Sequence, residues 1–206
     1  MTTVLTLHRE LTLILLLLVG YSYAYSADST ETEQNKTDYT RGLVFGENYA
    51  YYLVPPAGWE RDENPLVRLN WNSAFYPQEY SDSTSPVIIY SIVLFKDESM
   101  KSGDILEAYT AGYKTSFANL RIKDRDAIIT AHDDTLQVRL HWSPESHLFQ
   151  LIAIHELEDK AVLVIFQART SKSFNKYEAK LEEMMKSYQY LTDNVRMSYP
   201  SDSTDD

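Results

Sequence analysis

The chain has no cysteine, which excludes disulfides, thiolate zinc sites, cysteine nucleophiles and a lipidated cysteine at a processed N-terminus. Glycine is scarce as well, with six in 206 residues. No glycine-rich phosphate loop and no Gly-x-Ser-x-Gly elbow can be assembled from them. Basic residues are outnumbered 19 to 30, giving a net charge of -11. Such a surface repels phosphate backbones and anionic headgroups, so nucleic acid is not an expected partner. The longest apolar run, Leu11 to Val19 interrupted by Thr12, falls short of the roughly 20 residues a membrane-spanning helix needs. What is plentiful is hydrophobic material, at 44% of residues including 16 tyrosines. That is enough to bury a core and is not the composition of a disordered chain.

The apolar run is preceded by Arg9 and followed by small residues at Ser22, Ala24, Ser26 and Ala27. This pattern predicts a secretory signal peptide over residues 1–24, cut after Ala24 or Ala27 or else retained as an uncleaved anchor, and hence a secreted or periplasmic protein. Residues 25–38 carry four acids and one Lys, and residues 193–206 four acids and one Arg, so these two ends supply -6 of the -11. Both lack apolar periodicity and read as an acidic flexible linker and an acidic tail. The folded domain is placed at residues 39–192.

Within it, Tyr49 to Val54 reads as a strand stopped by Pro55-Pro56. Leu66 to Trp71 reads as a second short strand, and residues 72–86 as an irregular loop. Val87 to Phe95 is almost continuously apolar, as a strand covered on both faces would be. A helix follows, capped by Ser102 or Asp104, with Ile105, Leu106, Tyr109, Tyr113 and Phe117 forming one stripe. Ala127–Ala131, Leu136–Trp142, Leu148–Leu157 and Ala161–Arg169 predict an antiparallel meander joined by short polar turns. Ser173 to Leu191 carries Phe174, Tyr177, Leu181, Met184, Met185 and Tyr188 at helical spacing. The expected fold class is α+β, an antiparallel sheet flanked by helices.

An aromatic strand running into Pro-x-Gly-Trp, here Tyr51-Tyr52-Leu53-Val54-Pro55-Pro56-Ala57-Gly58-Trp59, then an apolar strand, a helix, a meander and a long last helix resembles the PsbP-like superfamily. The resemblance covers about residues 42–191 and implies an α-β-α sandwich on an antiparallel sheet. It implies no single activity, because one fold serves many roles, and no partner-binding residue of that superfamily has a matching motif to carry over.

Four histidines follow the leader: His132, His141, His147 and His155. Pairing Trp142 opposite His147 across the turn sends His141 to one sheet face and His147 and His155 to the other, the latter two roughly 26 Å apart along a strand. No shared metal ion is expected, and no cofactor. His132-Asp133-Asp134 offers an imidazole and two carboxylates for hydrolysis, but consecutive Asp residues suit a hairpin tip on their own account. Glu182-Glu183 lies opposite the apolar stripe, and Met184-Met185 suits a core. The feature that points outward is the stretch Asn72 to Ser85, where Trp71, Phe75, Tyr76 and Tyr80 alternate with polar residues. Aromatics on loops anchor partners, unless they fold back as a lid over the sheet edge. The functional expectation is an exported, non-enzymatic binding or accessory protein acting through a protein partner. The alternative is a small-molecule or lipid carrier, its cavity lined by Tyr109 and Tyr113 between helix 104–118 and the sheet.

Overall fold

The computed structural model describes residues 42–62, 71–81, 83–97, 99–117 and 119–195. The expected leader and linker, most of the expected acidic tail and residues 66–70 of the strand expected at Leu66–Trp71 lie outside them. Two antiparallel sheets form. A small one has the order β1-β2-β10, with β1 Leu43–Gly46, β2 Tyr49–Tyr52 and β10 Gln189–Thr192. The large one is seven-stranded, β3-β4-β5-β9-β8-β7-β6. Its strands are β3 Trp59–Arg61, β4 Ser73–Pro77, β5 Val87–Phe95, β6 Arg121–Ile129, β7 Thr135–Ser143, β8 Leu148–Glu156 and β9 Lys160–Ala168.

Helix α1, Asp104–Ser116, lies on one face of the large sheet, where Ile105, Leu106, Tyr109 and Tyr113 join Tyr90, Ile152, Leu163 and Ile165 in one apolar cluster. Helix α2, Ser171–Lys186, and the small sheet cover the other face. Phe174, Leu181, Met184, Tyr51 and Val44 pack there on Phe75, Ile89, Val164 and Phe166. Strands β8 and β9 are buried on both sides, as their nearly unbroken apolar runs require. The result is the α+β sandwich expected from the sequence.

Four local readings are corrected. Residues 72–86 are not one irregular loop, because Ser73–Pro77 pairs with β5 as a strand, Phe75 opposite Ile89. The meander begins earlier, at Arg121, in a strand whose charged side chains hide it from an apolar search. The last helix stops at Lys186, and the chain turns at Ser187 and Tyr188 into β10, which pairs with β2. The 7-to-8 connection is a 3-10 turn, Pro144–Ser146, with His147 at φ 52° after it, so Trp142 pairs with Phe149 rather than His147. That register differs by two residues from the expected one. A shift of two preserves side-chain parity, so the face assignments of His141 and His155 hold, whereas His147 lies in the turn outside both strands.

The start of α1 is capped from a distance. Gly103 is the N-cap, at φ 88°, so neither Ser102 nor Asp104 caps the helix, and Asp104 Oδ2 accepts from Lys101 N at 2.7 Å. Instead Glu156, at the end of β8, accepts from Gly103 N at 2.9 and 2.8 Å and from Ser102 Oγ at 3.0 Å, and pairs with Lys96 Nζ at 3.1 Å. A carboxylate at a helix N-terminus meets unpaired N–H groups and the positive end of the dipole. Burial raises the Glu156 pKa, but these donors outweigh it and leave the group below its ordinary value. Glu156→Gln removes that charge and is expected to cost about 1.5–3 kcal/mol, read as a lower urea midpoint. An unchanged midpoint would show that water serves the helix end equally well.

Candidate functional site

A 13-residue helix is about 20 Å long and 10 Å wide, whereas seven paired strands span about 29 Å across. Helix α1 therefore cannot roof its side of the sheet. Among the described residues no second α-helix lies on that side, since α2 belongs to the opposite face. Among the described residues, the less covered part is the β4–β5 flank. Ile88, Ile92 and Leu94 from β5 are half-buried there, packed against the α1 cluster with Trp71. Trp71 lies flat on Tyr90, ring centroids 4.2 Å apart at 18°. Tyr76 projects to the same side, because Ala74, two residues before it, pairs with Tyr90 of that cluster.

The four aromatics singled out in the sequence are thus divided. Trp71 and Tyr76 share the half-covered face. Phe75, between them in parity, points the other way into the core and is 0% exposed, so it offers nothing to a partner. Tyr80 follows the turn after β4, half-buried, and its field reaches Lys176 of α2. Ile88, Ile92 and Leu94 escaped sequence reading because an apolar strand gives no sign of which side chains its neighbours fail to cover.

Beneath α1 the interface is polar at its centre. Tyr109 OH donates to Tyr113 OH at 3.2 Å, and Gln150 Nε2 donates to Tyr113 OH and to Gln167 Oε1, each at 2.8 Å. His141 Nε2 lies 3.3 Å from Thr110 Oγ1, which also accepts from Arg139 Nη1 at 3.1 Å. Arg139 is held by Glu107 at 2.8 Å and Asp124 at 2.7 Å. Burial, reinforced by Arg139 and Lys114, lowers the His141 pKa to about 4, so the imidazole is neutral at pH 7. Burial also raises the Tyr90 and Tyr109 phenols well above their ordinary range. Tyr109 and Tyr113 are packed rings here, 5.0 Å apart. A surface pocket of about 240 Å³ beside α1 is lined by other residues, among them Leu106, Asp124, Gln137 and Arg139.

On the opposite face Tyr188 OH lies 3.0 Å from His155 Nδ1, and His155 Nε2 is 3.8 Å from Asp134 Oδ1. Asp134 Oδ2 accepts from Tyr190 N at 3.1 Å. Asp134 therefore ties the β6–β7 turn to β10 and faces His155, not the His132 beside it in sequence. Among the described residues no three His, Asp or Glu side chains are grouped to hold a metal ion. No described helix is long and apolar enough to cross a membrane.

No protein-family model matches the chain, and no curated protein matches it significantly in sequence. Its fold does have a counterpart. The solution structure of cyanobacterial PsbP (CyanoP) from Synechocystis sp. PCC 6803 superposes with a TM-score of 0.50, over 77% of this chain and 98% of that one, at 7% identity. Taken with two helices on opposite faces of an antiparallel sheet, this superposition shows that the chain has a PsbP-like fold.

Proposed function

We propose that this chain is an exported, non-enzymatic binding or accessory module that holds a protein partner against the β4–β5 flank of its large sheet. The observation that carries the reading is the row of half-buried Trp71, Ile88, Ile92 and Leu94 beside α1. Contiguous apolar surface framed by polar residues is where protein partners dock, and a flat tryptophan is a common anchor in such contacts. Export rests on the leader at Leu11 to Val19. A non-catalytic role fits three titratable groups that are engaged in structure: His155 with Tyr188, Glu156 with the α1 N-terminus, Arg139 with two carboxylates.

Affinity capture from the native compartment tests this. Ile92→Ser and Trp71→Ala are expected to weaken partner recovery at least tenfold while thermal melts show a folded chain. Equal recovery by wild type and both variants would remove the flank from consideration.

A further inference from the structure

Strand β6 is the last strand of the large sheet and nine residues long. Among the described residues no backbone hydrogen bond from Arg121–Ile129 reaches its outer edge. Up to the register shift between Arg125 and Ile128, where Asp126 lies, its charged side chains are sorted by sign. Arg121, Lys123 and Arg125 stand opposite Trp142, Leu140 and Val138, so all three project to the α2 side, while Asp124 projects to the other side and pairs with Arg139. Arg125 is matched by Glu178 of α2 at 3.1 Å. Arg121 and Lys123 are exposed and make no ion pair among the described residues. Half-buried Trp142, Leu140 and Phe149 lie next to them on the same face.

An open edge is a template for another strand, and its side chains decide which strand. Two antiparallel copies of β6 would bring Arg121, Lys123 and Arg125 of each against the same row, and like charges directly opposite are destabilising. Self-pairing is therefore disfavoured. A strand with carboxylates at alternate positions meets the opposite condition, since its acids fall every second residue on the face where Arg121 and Lys123 wait. Cations clustered on one edge of a chain with net charge -11 also give an approaching acidic segment an attractive place to land.

We infer that β6 is a recognition edge that takes up an extended acidic segment of a partner protein as an added strand, its alternate carboxylates paired with Arg121 and Lys123. Backbone pairing supplies the affinity and the cation row supplies the choice of segment. This surface is separate from the β4–β5 flank, so either reading can fail without the other.

The test is fluorescence anisotropy with the full-length protein and a labelled nine-residue peptide alternating glutamate and threonine. Binding is expected, at least tenfold weaker for R121E/K123E and for the milder R121Q/K123Q. It should weaken comparably when alternate peptide amides are N-methylated, and fall as salt is raised. A matching lysine–threonine peptide should not bind. Undiminished binding of the acidic peptide by either double variant, or equal binding of the N-methylated peptide, overturns the inference. So does failure of the acidic peptide to bind while phosphatidylglycerol vesicles do, which would reassign the row to a lipid surface.

Discussion

Replacing Phe75 by alanine is expected to lower the unfolding free energy by about 3–5 kcal/mol, whereas the same change at its neighbour Tyr76 should cost about 1 kcal/mol. Phe75 is 0% exposed and packs in the cluster that α2 and the small sheet close over. Its backbone is fixed opposite Ile89, and β5 is in turn held along its length by β9. The walls of the resulting cavity are ladder-bonded strands that cannot collapse into it, which places the cost toward the upper part of that range. Tyr76 points to the other side and is half-buried, so its truncation removes less contact and leaves no sealed void. Urea denaturation with a common slope separates the two. Equal losses would contradict the parity of β4 and return residues 72–86 to a loop.

Acid is expected to unfold the protein through His141 before the carboxylates are fully protonated. His141 is 0% exposed, with a pKa near 4 in the folded chain against 6.5 for the free side chain. Above pH 6.5 the imidazole is neutral in both states and contributes no pH dependence. As pH falls from 6.5 toward 4 the unfolded chain takes up a proton that the folded chain refuses, so stability is lost through that window. The total is about 3 kcal/mol. His155 acts in the same direction, its pKa lowered by burial although Asp134 partly opposes the shift. Glu156, held below its ordinary value, keeps its contribution until the pH drops under the normal carboxylate range. Stability measured against pH for wild type and His141→Gln isolates the effect. The variant should be flatter between pH 6.5 and 4, and a parallel curve would mean that His141 protonates freely in place.

What the sequence disclosed followed from periodicity and local chemistry. Strands β7, β8 and β9 are long, apolar and bounded by turn residues, and the stripe from Ile105 to Tyr113 permits only one helical face. The elements that escaped were short or governed by distant groups. Strand β4 contains two residues, Ser73 and Pro77, that argue locally against a strand, and is held by pairing with β5 on one side and β3 on the other. Tyr188 continues the spacing of Met184 and Met185, yet its ring leaves the helical path to pack 5.8 Å from Tyr51. The cap of α1 comes from Glu156, more than fifty residues onward. The candidate site was half legible: an aromatic stretch after residue 70 was evident, but the parity that sends Trp71 and Tyr76 outward and Phe75 inward depends on where β4 begins. The buried hydroxyls of Tyr51, Ser73 and Ser91, joined at 2.6 and 2.5 Å, likewise carry no sequence signature.

The pairing of β2 with β10 has a consequence for how the molecule is made. Tyr51 meets Tyr190 across the small sheet, so one of the earliest strands waits for one of the latest. Contacts of such long sequence separation form slowly. During synthesis the β1–β2 hairpin emerges with one edge of β2 unpaired, and that edge stays open until Gln189–Thr192 has followed it. A chain halted before Gln189 would leave the β2 edge open to stray strands, so the arrival of β10 is the step that seals the small sheet.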